Sequence, residues 1–379
     1  MTKKLEFDYI IIGGGLAGLQ LALAFSNDSF FSTKKIAIIE PHKKTRNDKT
    51  WCFWEMGAGK WDNILHHSWS EGVFITRQEA IPLSMGEYRY KMIRAEDFYD
   101  FAYQSIKHSS NISFISDTIQ SVHQKQVQGE KLSYTASSIF DSRIPLGYEN
   151  DQKSITLLQS FKGWIIETER DQFNPDSFTM MDFRLGYEDQ CCFTYILPLS
   201  KRKALVEFTF FAPETIEDKV YEKQLKKFIS EQLSIEKYTI SEVEQGVIPM
   251  STYPFWKANR SNYLKIGTGG GWVKSSSGYS FKNVEKKVTQ VLKNIKDNKA
   301  LDHKLFNKRF RFYDEVLLNI LFRKNELGLD IFEEMYSKNS TSKIFQFLDE
   351  ETTFTEEIKI INKFKKAPFL KSAFQLLIQ

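Results

Sequence analysis

Two apolar runs near the start of the chain, Tyr9–Ile12 and Ile36–Ile39, have no polar break, and between them Leu19, Leu21, Ala22 and Leu23 recur at helical spacing. Short continuous apolar runs bounded by turn residues predict buried strands, so the first forty residues read as strand, glycine turn, helix and strand. A helix is predicted over Ala95–Ile106, with Phe98, Phe101 and Ala102 on one face, followed by a third parallel strand at Ile112–Ile115. From Gln159 to Val247 the pattern turns strand-like. Gly163–Thr168, Cys192–Leu197 and Ala204–Phe210 predict an antiparallel sheet, interrupted by one helix over about Glu217–Gln232. After Phe281 the pattern is helical to the end, and no internal repeat or low-complexity tract occurs.

The turn between the first strand and helix carries the most specific chemistry. Asp8-Tyr9-Ile10-Ile11-Ile12-Gly13-Gly14-Gly15-Leu16-Ala17-Gly18-Leu19 has the glycine spacing of a nucleotide clamp. Gly13 allows the tight turn, Gly15 lets backbone N–H groups approach a pyrophosphate, and Gly18 lets the helix lie close to the strand. Gly14, Leu16 and Ala17 complete the cradle. Glu40 closes the second strand where a carboxylate accepts ribose hydroxyls. A distal cluster, Gly267, Gly269 and Gly270 within Leu264–Trp272, again follows an apolar strand, and Ser275–Phe281 beyond it is predicted to open another helix. Two such turns so far apart suggest one extended dinucleotide, FAD, with the proximal turn at the ADP side and the distal one at the flavin side.

The expected fold is therefore α/β. It has an FAD-binding Rossmann-like lobe of the glutathione-reductase type, an interleaved antiparallel-sheet substrate lobe and a helical C-terminus. The expected boundaries are 1–57, 91–155 and 255–295 for the first, 58–90 and 156–254 for the second, and 296–379 for the third. At 379 residues the chain can bury a core in each lobe.

Charge and cysteines narrow the function. With 52 basic and 48 acidic residues the formal charge is +4, too mild for a nucleic-acid footprint. Three cysteines, Cys52, Cys191 and Cys192, lack metal-ligand spacing, and no secretory pattern precedes them, so no metal and a cytoplasmic location are expected. No apolar run is long enough to span a bilayer, which leaves peripheral contact as the expected membrane mode. The 32 phenylalanines either fill the core or line a long apolar cavity.

A family resemblance rests on several segments in order. These are Asn47-Asp48-Lys49-Thr50-Trp51-Cys52-Phe53-Trp54, Met181-Asp182-Phe183-Arg184, Tyr195-Ile196-Leu197-Pro198-Leu199-Ser200, Glu207-Phe208-Thr209, Gly246-Val247-Ile248-Pro249-Met250 and Lys274-Ser275-Ser276-Ser277-Gly278-Tyr279. Together they resemble lycopene cyclases of the bacterial and plant flavoprotein type, from about Asp8 to Phe347–Thr352. Ser275 departs from the pattern, standing where relatives often carry proline. The resemblance implies acid-initiated cyclisation of the ψ-ends of lycopene and related carotenoids to β-rings. The product would be β-carotene by way of γ-carotene, with FAD in its reduced form, NADPH as electron donor and no net redox change. Competing readings are a flavin monooxygenase or polyprenyl reductase, whose distal turn normally carries Gly-Asp where this chain has Gly267-Thr268, and a carotenoid-binding protein without catalysis.

The resemblance places the essential acid at Glu207. The alternation of that strand puts Leu205, Glu207 and Thr209 on one side and Val206, Phe208 and Phe210 on the other, so burial would keep the acid protonated. Asp182 and Arg184 share a face, as a structural ion pair or as organisers of the acid site. Glu351, beside Glu350, is a second candidate acid, although such a pair usually marks a solvated helix end. Trp51, Phe53 and Trp54 pack the core or line the polyene path. Lys363–Lys371 mixes basic and large apolar residues, as a solvated terminal helix or as a contact with the membrane surface.

Overall fold

The computed structural model describes residues 4–378. Its first sheet has Lys4–Ile12 at the centre, flanked in parallel by Ile36–Ile39 and Ser133–Asp141, with Ile112–Ile115 and Tyr263–Lys265 outside them. The unbroken apolar run is explained by burial on both faces. Ile10 and Ile12 enter one core, while Tyr9 and Ile11 enter another beneath helices Leu16–Ser26 and Phe281–Lys296. Strands Ile119–His123 and Gln126–Gly129 extend Ser133–Asp141 as an antiparallel wing. The helix predicted to open within Ser275–Phe281 starts at Phe281.

A second, seven-stranded sheet runs in the spatial order Tyr238–Ser251, Thr156–Thr168, Lys203–Ala212, Cys191–Ser200, Ser177–Asp182, Glu71–Ile75 and Ala80–Leu83. It is antiparallel apart from one parallel pairing, Ser177–Asp182 with Glu71–Ile75, contributed by the excursion before residue 91. Helix Asp218–Glu231 covers one face through Tyr221, Leu225, Phe228 and Ile229, packed on Val206, Phe208 and Phe210. The other face, carrying Leu205 and Phe211, meets the C-terminal helices through Leu318, Leu321, Phe332 and Phe345.

A third sheet joins Thr50–Met56, Tyr88–Arg94 and His67–Trp69. Strand Tyr88–Arg94 runs unbroken through the position expected for a lobe boundary at residue 91. Its charges disguise it in sequence. Lys91 is buried, donating to Glu55 at 3.0 Å, Asp62 at 2.6 Å and the Gly57 carbonyl at 3.0 Å. A lysine so satisfied can occupy a core strand.

Candidate active site

The two glycine turns converge at the carboxyl ends of the parallel strands, where open α/β sheets bind their ligands. Gly13 has φ +104°, and a Cβ there would lie 1.9 Å from Ser142 Oγ. At Gly267, with φ +59°, a Cβ would lie 3.1 Å from the Ala17 side chain. The proximal and distal turns thus approach each other, with Ser142 and Ala17 lying between them. Gly18 is needed for close packing, since a Cβ would stand 2.0 Å from the Gly13 carbonyl oxygen. Gly269 and Gly270 are hemmed in likewise, by the carbonyls of Arg143 and Lys265.

Gly15 differs. A Cβ there would meet nothing within 4 Å, and helix Leu16–Ser26 behind it has neither a side-chain cap nor an acid in its first turn. The start of this helix therefore has no side-chain cap and open space beside Gly15, as a phosphate-binding helix terminus requires. The Glu40 carboxylate accepts the Gly14 N–H and stands at the rim of this cradle. The residues fit a dinucleotide's pyrophosphate and ribose.

Glu207 lies on strand Lys203–Ala212, on the face turned away from helix Asp218–Glu231. It is 8% exposed. Cross-strand register sets Glu244, Gly163, Glu207 and Tyr195 in one row on the same face: Gly163 opposes both Glu244 and Glu207, and Glu207 opposes Tyr195. Gly163 creates the room. A Cβ there would fall 2.9 Å from Leu205 Cδ1, 3.2 Å from Glu207 Cβ and 3.3 Å from Glu244 Cγ. Thr209 Oγ1 donates to Glu207 at 3.0 Å, and Thr50 Oγ1 donates to Glu244 at 2.8 Å. Burial, reinforced by the neighbouring Glu244 carboxylate, pushes the Glu207 carboxyl well above the usual range. Burial also raises Glu244, while its hydrogen bonds with Thr50 and Glu207 act in the opposite sense.

The roof over this row is aromatic. Tyr195 donates to Tyr90, whose hydroxyl is 3.0 Å from that of Tyr279, and Tyr279 meets Met180 Sδ at 3.4 Å. Burial holds all three phenols well above their ordinary range and drives the Cys52 thiol up to about 12, so these groups stay neutral. Trp54 packs edge-on to Tyr279 at 4.6 Å and stacks on Phe345 at 4.4 Å. The loop from the distal glycine turn reaches the same sheet face. A Cβ at Gly278 would lie 2.3 Å from Gln159 Oε1, whose oxygen is buried without a partner. The distal glycine loop thereby meets the sheet face that carries Glu207.

The other expected residues fall elsewhere. Asp182 is fully buried and bound by the Arg184 guanidinium and backbone N–H, a structural pair whose arginine lies over Phe228. Glu351 is half-exposed and paired with Lys286 at 2.8 Å, while its neighbour Asp349 accepts the Trp54 indole N–H at 2.7 Å. Trp51 and Phe53 turn into the core of the nucleotide-binding lobe, whereas Cys52 and Trp54, at the alternate positions, face the acid side. Glu244, Tyr90, Tyr195, Tyr279 and Gly163 were not singled out as site residues in sequence. An isolated glycine inside a strand was the available signal, since it marks a close approach.

The fold is a two-lobed α/β architecture with a Rossmann-like first lobe, shared with FAD-dependent oxidoreductases and halogenases. The chain belongs to the lycopene cyclase family: the family profile described as "Lycopene cyclase protein" matches residues 8–373. Among solved structures it is similar to a geranylgeranyl bacteriochlorophyll reductase-like protein from Thermoplasma acidophilum (13% identity, TM-score 0.62, 99% of this chain and 100% of that one). It is also similar to the flavin-dependent brominase Bmp2 (11%, TM-score 0.58, 98% of each chain) and to a tryptophan halogenase from Shewanella frigidimarina (10%, TM-score 0.56, 99% and 88%). Comparison with curated proteins found no match.

Proposed function

We propose that the protein is a lycopene β-cyclase, which closes the ψ-ends of lycopene to β-rings, giving β-carotene through γ-carotene. The observation that carries this reading is Glu207, a buried carboxyl kept neutral on an apolar and aromatic face with no cation paired to it among the described residues. An alkene offers no hydrogen-bonding atom, so its protonation needs a strong local acid, walls that do not trap the resulting cation, and exclusion of water. Glu207 is the proposed donor, and the rings of Trp54, Tyr90, Tyr195 and Tyr279 supply π faces for the cation. Each ring closure takes one proton in and releases one, so no net redox change occurs.

The proposed cofactor is FAD, held by Gly13, Gly14, Gly15, Leu16, Ala17, Gly18 and Glu40 at its ADP side and by Gly267, Gly269 and Gly270 toward its flavin. In its reduced form, with NADPH as the proposed electron donor, FAD held there would supply negative charge that favours cation formation. The lobe boundaries proposed for this division remain 1–57, 91–155 and 255–295 against 58–90 and 156–254, with 296–379 as the helical region. Among the described residues no helix is long and apolar enough to cross a membrane. The proposed association is peripheral, through the C-terminal helix. The deciding experiment is expression in cells that accumulate lycopene. Conversion to β-carotene is expected; unchanged lycopene, or a hydroxylated or saturated product, would overturn the assignment.

A further inference from the structure

The row Glu244–Gly163–Glu207 places two carboxyl groups on one sheet face with only a glycine between them. Each already has one hydroxyl donor, Thr50 for Glu244 and Thr209 for Glu207. Their side chains flank the same glycine, Glu207 Cβ at 3.2 Å and Glu244 Cγ at 3.3 Å from where its Cβ would stand, and each weighs on the other's protonation. Two ionised carboxylates so placed repel each other, and neither has a proton to donate. The missing Cβ at position 163 is what allows the approach.

We infer that Glu207 and Glu244 hold a single proton between them, with Glu244 as the positioning carboxylate that keeps the proton on Glu207 until the alkene takes it. This rests on the reading of Glu207 as proton donor. The surroundings of the pair contain few charges. Cys52, Tyr90, Tyr195 and Tyr279 face it from the neighbouring strands and the distal loop, all held neutral. The nearest ions, Arg94 and Glu242, are paired with each other at 2.9 Å. Among the described residues nothing else neutralises a second negative charge there.

The cycle balances. The Glu207 O–H bond breaks, and the π pair of the end-group alkene forms a C–H bond at its CH carbon, leaving the dimethyl-bearing carbon as a tertiary cation. The electron pair of the second alkene forms the ring-closing C–C bond. A ring C–H bond then breaks, leaving its electron pair as the ring double bond. At the moment of donation both carboxyls are anionic and adjacent, and that repulsion makes the pair a strong base for the released proton. No oxidant, reductant or second acid is consumed.

The test uses the purified full-length protein with bound flavin, followed by infrared spectroscopy of the carboxylic-acid C=O band in H2O and D2O across pH. Cyclisation of lycopene in vesicles is measured over the same range. In the wild type the band should persist to a pH well above the usual carboxylate range, and Glu207→Gln should remove it. Glu244→Gln removes the neighbouring charge and offers an amide donor, so the midpoint should fall by at least about one pH unit, and the alkaline limb of kcat should fall with it. Thr50→Val removes the donor that stabilises the Glu244 carboxylate and should move the midpoint the other way, which tests the pair even if Glu244→Gln fails to fold. An unmoved midpoint in the folded variants, or a band that survives Glu207→Gln unchanged, would overturn the shared proton. Shifted midpoints in a protein that leaves lycopene uncyclised would reject the cyclase reading and uphold the pair.

Discussion

Glu207 sits where a carboxyl group is least stable as an anion, which links its chemistry to the stability of the fold. Its folded-state pKa is raised by burial and by Glu244, so the folded protein retains a proton that the unfolded chain gives up. Stability attached to this group is fully present below the ordinary glutamate range and is lost as pH rises through the folded value. Glu207→Gln keeps the shape without the ionisation. Thermal unfolding should therefore show the variant gaining on the wild type at pH 8 relative to pH 5, while cyclisation falls by about 10²- to 10⁴-fold and flavin absorbance persists. Glu351→Gln should be near-normal, because Glu351 is tied to Lys286 at the surface. Retained cyclisation in the Glu207 variant would move the search for the acid elsewhere. Gly163→Ala tests the room between the acids. Its Cβ would press on Leu205 and on both glutamates, an overpacking cost of about 1–3 kcal/mol, read as a lowered melting temperature together with weaker cyclisation. Glu207 was pointed to by the family resemblance, and the alternation of its strand correctly placed it beside Leu205 and Thr209 on the face away from helix Asp218–Glu231. Glu244 was not. Its strand reads Ser-Glu-Val-Glu-Gln, the pattern of a solvated edge, and only pairing across Gly163 turns that glutamate toward the acid.

At the level of elements, the same residue type serves opposite ends in one turn. Gly15 opens onto free space in extended backbone, so Gly15→Val should fold with near-native stability and lose flavin, as seen by absorbance of the purified protein. Gly18 touches the Gly13 carbonyl, so Gly18→Ala must displace the helix, and its melting temperature should fall even before cofactor is considered. If both variants lose only flavin, the packing role of Gly18 is wrong. Arg184→Ala leaves the fully buried Asp182 with only the backbone N–H of residue 184 and should destabilise by about 1–3 kcal/mol in denaturant titration, with the surviving folded fraction still active. Helices such as Ala95–Ile106 and the strands around Glu207 were readable because a single periodicity spans each of them. Strand Tyr88–Arg94 was not, because Arg89, Lys91 and Arg94 mask its period. The parallel pairing of Glu71–Ile75 with Ser177–Asp182 joins segments too distant for local pattern to register.

On the scale of the whole molecule, the proposed insoluble polyene substrate calls for a lipid-facing surface, and no helix among the described residues is long and apolar enough to cross a membrane. Helix Lys366–Leu377 supplies a candidate. Its inner face is anchored: Phe369, Ala373 and Leu376 pack on Val316 and Ile320, and Ser372 is buried, accepting from Asn319 and donating to the Val316 carbonyl. Its outer face carries Leu370, Phe374 and Leu377, exposed to 66%, 64% and 76% and spaced for one helical stripe. Lys366 and Lys371 stand exposed on the same helix. A stripe of this kind flanked by lysines suits an anionic bilayer, where each buried large apolar side chain contributes about 1.5–3 kcal/mol and each lysine near the surface about 1 kcal/mol. In flotation with anionic vesicles the wild-type protein should rise with the lipid, less so at high salt. Leu370→Glu combined with Phe374→Glu, both surface changes, should abolish flotation without lowering the melting temperature. Cyclisation of lycopene supplied in vesicles should drop, while lycopene supplied in detergent is still converted. Undiminished flotation by the double variant would show that a different face meets the membrane, and equal loss in vesicles and detergent would place these residues in the fold rather than at the lipid.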